Sequence, residues 1–270
     1  MQIAPSPFLQ GIVRHYLVLS SNACSHPDFR IFSDGSPGIV FHRKAPFIQI
    51  SDKNGCFDVQ PNCFVYGQIT QFNTISATAE MDMLIIVLQP SALLKLFNIA
   101  AFEINDKTIP FADLTGHSGR LLIESVQEQP DNAVAISLIE DFLFNRAIKK
   151  TYHDDIVSTS VKQIYAHKGM KGPTKIFKDI PATERQLERK FLEHIGLSPK
   201  KFAGIIRLQY FLKCLKTANP TTNISEISYH CGYYDQSQLN NIFKKNTGLT
   251  PLQYQANANL LAVNFLLLGS

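Results

Sequence analysis

The chain has 270 residues, 45% of them apolar and 18% charged, and carries a formal net charge of +4. This composition excludes a disordered chain, and the length fits one large domain or two ordinary ones. No apolar run reaches the roughly 18 residues that span a bilayer, and the start MQIAPSPFLQGIVRHYLVLSS lacks the basic cluster of a signal peptide, so a cytoplasmic protein without membrane contact is expected.

The chain as a whole is predicted as α+β, and its first half reads as α/β with a strand-rich start. IVRHYLVLS (12–20), GIVFH (38–42), FIQIS (47–51), CFVYG (63–67) and MLIIVLQ (83–89) are rich in β-branched and aromatic residues. The clusters Ser33-Asp34-Gly35-Ser36-Pro37 and Asp52-Lys53-Asn54-Gly55 separate them as turns. Arg14, His15, His42, Tyr66 and Gln68 are candidates to line a small cavity. Helices are predicted at Ser91–Asn98, about Ser118–Gln127 and about Asn132–Lys150. GHSGR (116–120) resembles a nucleophile elbow only superficially, because its second glycine comes one residue early and no clear strand precedes it. No enzyme, metal or cofactor is expected. Cys56 and Cys63 are too far apart for the usual zinc pair, and the odd count of five cysteines fits reduced thiols. The polar stretch KKTYHDD marks a boundary, giving a first domain at 1–150 and a second domain at 151–270.

The charge divides at the same place. Residues 1–150 hold 11 Lys/Arg against 14 Asp/Glu, and residues 151–270 hold 15 against 8. A basic second half points to nucleic acid or another anionic partner.

That half contains an internal repeat. TERQLERKFLEHIGLSPKKF (183–202) aligns without gaps onto DQSQLNNIFKKNTGLTPLQY (235–254). The repeat keeps Gln186/Gln238, Leu187/Leu239, Phe191/Phe243, Gly196/Gly248, Leu197/Leu249 and Pro199/Pro251. Thr183 and Asp235 are N-caps, with Gln186 and Gln238 completing capping boxes. Leu187 with Phe191, and Leu239 with Phe243, form inward stripes. Gly196 and Gly248 stop each helix, and Ser198-Pro199 and Thr250-Pro251 start the next. Ile176, Phe177 and Ile180 before the first copy, and Asn223, Ile224, Glu226 and Ile227 before the second, mark supporting helices. Two helix-turn-helix units follow, at about 172–196 and 222–248, joined by one long helix through SPKKFAGIIRLQYFLKCLKTAN. The tail LLAVNFLLLGS reads as a helix packing onto a core. The outer faces carry Glu184, Arg185, Glu188 and Arg189, then Gln236, Ser237, Asn240 and Asn241. Arginine, asparagine and glutamine are the residues that bond bidentately to base edges in the major groove. The plainer reading of each face is a solvated helix surface, but Gln-Ser and Asn-Asn are poor helix formers for that purpose. Lys200, Lys201, Lys244 and Lys245 are candidate phosphate contacts, or plain solvated lysines.

With Ile224, Ile227, Gly232, Tyr233, Asp235, Gln236, Ser237, Leu239, Phe243, Lys244, Gly248, Thr250, Pro251 and Tyr254 in order, residues 155–257 resemble the DNA-binding domain of the AraC/XylS family of bacterial transcription regulators. The resemblance implies a β-rich sensing or assembly domain followed by an all-α domain of two helix-turn-helix units. It also implies a sequence-specific regulator of the activator kind, with double-stranded DNA as partner and RNA polymerase and a small-molecule effector as further candidates. The base-reading positions carried over are Arg185, Glu188, Arg189, Gln236, Ser237, Gln238 and Asn241. Asn241 and Gln255 stand where the family has arginine, and Ser228 stands for its frequent alanine. Asn241 gives the alternative reading of a regulator acting mainly through protein contacts, with weakened DNA binding. The first half is similar to the amino-terminal domain of a subset of AraC-like regulators, through DG-x-x-x-IVF, GQ and LQP-x-x-L patterns.

Overall fold

Runs of β-branched and aromatic residues form strands because successive side chains point to opposite faces of a pleated sheet. The computed structural model describes residues 1–21, 27–50, 57–148, 155–172, 176–178, 180–219, 223–256, 260–262 and 264–268. Two antiparallel sheets result. The first holds β1 (Gln2–Ile3), β2 (Val13–Ser21), β9 (Met81–Leu88), β4 (Gly38–His42), β7 (Cys63–Tyr66) and β10 (Thr108–Pro110), in that order. Its central strand β4 is buried throughout. Ile39 and Phe41 join the core beneath the helices, while Val40 faces the second sheet. A central strand covered on both sides reads as a continuous apolar run, which is how GIVFH looks in sequence.

The second sheet runs β11 (Leu260–Ala262), β12 (Phe265–Leu267), β3 (Asp28–Ile31), β8 (Asn73–Ser76), β5 (Ile48–Ile50) and β6 (Phe57–Val59). Phe29, Phe47, Ile75, Val40, Phe64, Met83 and Phe265 pack between the sheets. The helices α1 (Ala92–Phe97), α2 (Phe111–Thr115), α3 (His117–Glu128) and α4 (Asn132–Ile148) follow, and Leu93, Phe111, Leu122, Ile139 and Leu143 share the core on the far side of the first sheet.

Two of its strands come from the far end of the chain. The tail is not a helix but a β-hairpin, and β12 pairs antiparallel with β3 through Phe265↔Ile31, Leu266↔Arg30 and Leu267↔Phe29. The apolar run there suits either state, and the free edge of β3 decides between them by supplying hydrogen-bond partners.

The second half is helical: α5 (Asp155–Ala166), α6 (Glu184–Ile195), α7 (Pro199–Thr217), α8 (Ile224–His230), α9 (Gln236–Thr247) and α10 (Pro251–Ala256). The long helix α7 starts as predicted, with the Ser198 hydroxyl accepting from the Lys201 amide and Pro199 in the first turn. Its first part, through Phe202, Ala203, Ile205 and Ile206, packs into one core with Leu187 and Phe191. Its second part, through Leu208, Phe211, Leu212 and Leu215, packs into another with Leu239 and Phe243. Residues 173–175 and 179 of the first unit, residue 222 of the second, the proposed boundary at 149–154, and Cys24 and Cys56 lie outside the described residues.

Candidate nucleic-acid interface

Both predicted presenting helices form with the local chemistry of their caps. Thr183 Oγ1 accepts from the Gln186 amide at 3.2 Å, and Gln186 Oε1 accepts from the Thr183 amide at 3.0 Å, which closes the capping box of α6. At α9, Asp235 Oδ1 accepts from the Gln238 amide at 2.7 Å. Gln238 differs from its expected role: its Oε1 accepts from Tyr234 N, one residue earlier, at 3.2 Å. Gly196 (φ +85°) and Gly248 (φ +73°) end the two helices in the left-handed region, where a Cβ is costly.

Leu187, Phe191, Leu239 and Phe243 are all buried. Their burial turns the opposite faces outward. Arg185, Glu188, Arg189, Gln236, Ser237, Gln238, Asn241, Lys200, Lys201, Lys244 and Lys245 are all exposed. Helical spacing brings Arg185, Glu188 and Arg189 together on one face of α6, and Ser237 with Asn241 on one face of α9. The two sets stand on separate units built on successive parts of α7. Gln236 is partly engaged, since its Oε1 accepts from Ser225 Oγ of the supporting helix at 3.2 Å. Leu192, exposed on the same face as Arg185 and Glu188, was not among the sequence candidates, nor were the exposed Tyr229 and Tyr234 flanking the second turn. Their signal was available: Leu192 lies one turn beyond Glu188 and Arg189.

The second turn is held to α7 by one stripe of side chains. Arg207 Nη1 donates to Gly232 O at 3.3 Å, and its guanidinium lies 4.5 Å over the Tyr233 ring. Lys168 Nζ donates to Tyr210 OH at 3.0 Å, and Tyr210 OH meets His230 Nε2 at 3.2 Å. Burial, with the neighbouring Cys214, pushes the Cys231 thiol up to about 12.

The first half contains a cavity of about 330 Å³ between the two sheets. Phe64, Met83 and Ile85 give it apolar walls, and Arg14, Asp34, Gln209 and Asn264 are among its polar groups. Arg14 lies 3.7 Å from Asp34 and donates to Ser36 Oγ at 3.1 Å. Burial raises the Asp34 carboxyl, against the lowering pull of Arg14. Burial, with Arg14, brings His15 down to about 4. Of the five cavity candidates, Arg14, His15 and Tyr66 line it. His42 and Gln68 do not: His42 Nε2 meets Gln60 Oε1 at 3.1 Å, and Gln68 Nε2 donates to Gly35 O at 3.0 Å. Gln209 of α7 and Asn264 and Phe265 of the tail complete the wall, and a tail expected to be helical hid two of them. The GHSGR segment follows helix α2, and its Gly116 opens α3.

Residues 178–257 match a family described as a helix-turn-helix domain, and residues 1–110 match one described as a domain of unknown function (DUF6597). Among solved structures, unsaturated fatty acid bound wild-type ToxT from Vibrio cholerae is similar at 13% identity, covering 89% of this chain and 94% of that chain, with a TM-score of 0.50. Another ToxT structure from Vibrio cholerae, at 14% identity, covers 89% and 97% with a TM-score of 0.48. The xylose-binding transcription activator xylR is 23% identical, covering 41% of this chain and 29% of that chain, with a TM-score of 0.34. No curated protein matches the chain. No helix among the described residues is long and apolar enough to cross a membrane. Residues 178–257 thus match a helix-turn-helix domain family, here with a β-rich domain in front.

Proposed function

We propose that the chain binds double-stranded DNA sequence-specifically, with α6 and α9 in successive major grooves, and that an effector in the sheet-to-sheet cavity controls this binding. The observation that carries the reading is the pair of equivalent capped helices, each with its apolar stripe buried and its polar face exposed. Arg185 and Arg189 are assigned to base edges, with Glu188 accepting from cytosine. Ser237, Asn241 and, once freed from their present partners, Gln236 and Gln238 read the second element. Leu192 suits a thymine methyl group. Lys200, Lys201, Lys244 and Lys245 contact phosphates. On this reading residues 1–150 sense and 151–256 bind, with the tail belonging physically to the sensing domain.

The cavity supports an effector that is small and largely apolar with a hydrogen-bonding end. A ToxT structure holds an unsaturated fatty acid, and an apolar ligand of that kind is the first to try here. Since Arg14 already faces Asp34, a carboxylate would have to compete for it.

In vitro selection from a random duplex library, with affinity repeated at two salt concentrations, tests the DNA reading. The expected result is a motif of two elements about one helical turn, roughly 34 Å, apart. Salt-sensitive binding with no motif at all would overturn sequence-specific recognition. The second reading, a regulator acting through protein contacts, is favoured by the exposed Tyr229, Tyr234 and Leu252 on the second unit. It predicts little salt-sensitive DNA affinity.

A further inference from the structure

We propose that the amino-terminal domain and the carboxy-terminal hairpin together brace both recognition helices, and so fix the spacing of the two DNA elements that the chain accepts. This rests on the DNA-binding reading above. Gly196 and Gly248 are equivalent positions of the internal repeat, and both dock on the first half of the chain. Gly196 O accepts from Asn105 Nδ2 at 2.6 Å. A Cβ at Gly196 would collide with Asn105 Oδ1 and come within 3.0 Å of Ala101 O. At the other unit, a Cβ at Gly248 would collide with Arg30 Nη1 and stand 2.9 Å from the Phe72 ring. The Arg30 guanidinium lies 4.5 Å over Phe72, so the two form one seat.

Between these two points the loop 32–36 lies along α7. Phe32 is fully buried in the second unit's core, in edge contact with Tyr254. A Cβ at Gly35 would stand 3.1 Å from both Phe202 and Ile206 of the first unit's core. Gln209 Nε2 donates to Ser33 O at 2.7 Å. The hairpin adds a further tie. Leu266 is fully buried in the second unit's core, while its strand is bonded to β3. Asn264 Nδ2 donates to Phe32 O at 3.1 Å, and Phe32 N donates to Asn264 O at 3.2 Å.

Without these contacts the two units are joined through α7, whose 19 residues make a rod of about 28 Å, and through Met170 beside Gly232. Each unit packs on one part of that rod and is free to rock about it. A further connection, fastened at the same cap of both recognition helices, removes that freedom. The recognition faces themselves stay exposed, so the brace sets their relation without covering them. Asn105, Arg30, Phe72 and Leu266 are positioning residues in this sense.

The test uses the full-length chain on the two-element duplex found by selection, with one base pair added to or removed from the spacer. Each such change moves the second element by about 3.4 Å and turns it by about 35°. The braced protein is expected to lose about tenfold or more in affinity on either altered spacer, comparable to a mismatched base pair. Asn105→Ala, Arg30→Ala and a chain ending at residue 257 are expected to bind the original spacing nearly as well and to lose only about threefold on the altered ones. Thermal melts accompany each variant. Should the truncated chain fail to fold, the two alanine variants decide. Variants as strict as the parent would assign spacing to the helical half alone and overturn the brace, as would a parent indifferent to spacing. Absence of any enriched motif would remove the DNA reading first, and the brace with it, an outcome distinct from the other two.

Discussion

Phe32→Ala probes whether the two halves share a core in solution. Phe32 is fully buried, but its neighbours Leu208, Phe211, Phe243 and Tyr254 lie more than 170 residues away in sequence. Its ring meets Tyr254 edge-on at 6.4 Å. Removing a fully buried phenylalanine costs about 3–5 kcal/mol, combining lost transfer energy with the cavity left behind. Up to about 1 kcal/mol of that is the edge-to-face pairing with Tyr254. For a chain of this size unfolding as one unit, the melting temperature falls by about 5–9 °C. If the halves are merely tethered, the calorimetric trace shows two transitions, and the variant moves neither by more than a degree or two. Scanning calorimetry at two scan rates separates these cases. A loss below about 1 kcal/mol, typical of a surface substitution, would mean that Phe32 is not seated among the helices, and the shared core would be wrong.

Four further outcomes follow from the same geometry. Arg189→Ala should cost about 1–3 kcal/mol of specific DNA affinity and relax the sequence preference within one element; an equal loss on every sequence would make Arg189 a phosphate contact instead. Asn241→Arg should tighten binding in a gel-shift titration, because the exposed face of α9 has room for a longer cationic donor; unchanged affinity would show that Asn241 is not at the interface. Lys244→Ala should weaken binding about evenly across sequences and reduce the salt slope by about 1, and a sequence-dependent loss would contradict that role. His42 is buried, and burial lowers its pKa from 6.5 to about 4, against the opposing hydrogen bond to Gln60. The unfolded chain therefore takes up a proton that the folded chain refuses. This stability is present above pH 6.5 and is lost as the pH falls toward 4, by up to about 3 kcal/mol. His42→Gln should flatten the urea-melt midpoint across that range, and an unaltered pH slope would assign it to other groups.

The helical half was legible because its signals are local. A cap oxygen, a leucine and phenylalanine four apart, and a glycine at the stop act within three turns of helix. Thr183, Leu187, Phe191 and Gly196 each take the role their type predicts. The second copy departs only at Gln238, which turns to the amide of Tyr234. The first sheet was legible for a related reason: β4 and β9 are central strands whose apolar runs are long. The second sheet was legible only at β5, through FIQIS. Phe57–Val59 is short and exposed, and Asn73–Ser76 is polar at both ends, so neither carries a strong alternation. Which faces meet across the chain was least legible of all. Phe32 follows a strand directly and gives no hint that its ring belongs to a core assembled from residues 208–266.

The tail shows what such long-range placement does for function. In a strand, neighbouring side chains point to opposite faces. In β12 this sends Phe265 toward the cavity, where it also packs on Phe29 with ring centres 5.2 Å apart, and sends Leu266 into the second helix-turn-helix core. Consecutive residues of one strand thus touch the cavity and the core of the second helix-turn-helix unit. An occupant that displaces Phe265 shifts the strand that carries Leu266, since both are held by the same ladder to β3. A ligand changes an equilibrium only by its differential affinity for the two states. Coupling of this kind typically reaches about 1–3 kcal/mol. An occupant touching only the far wall, at Met83 and Ile85, has no such lever, however tightly it binds. If the proposed effector control holds, effective regulators would be those that reach Phe265, Asn264 or Gln209, the cavity residues that belong to the tail and to α7.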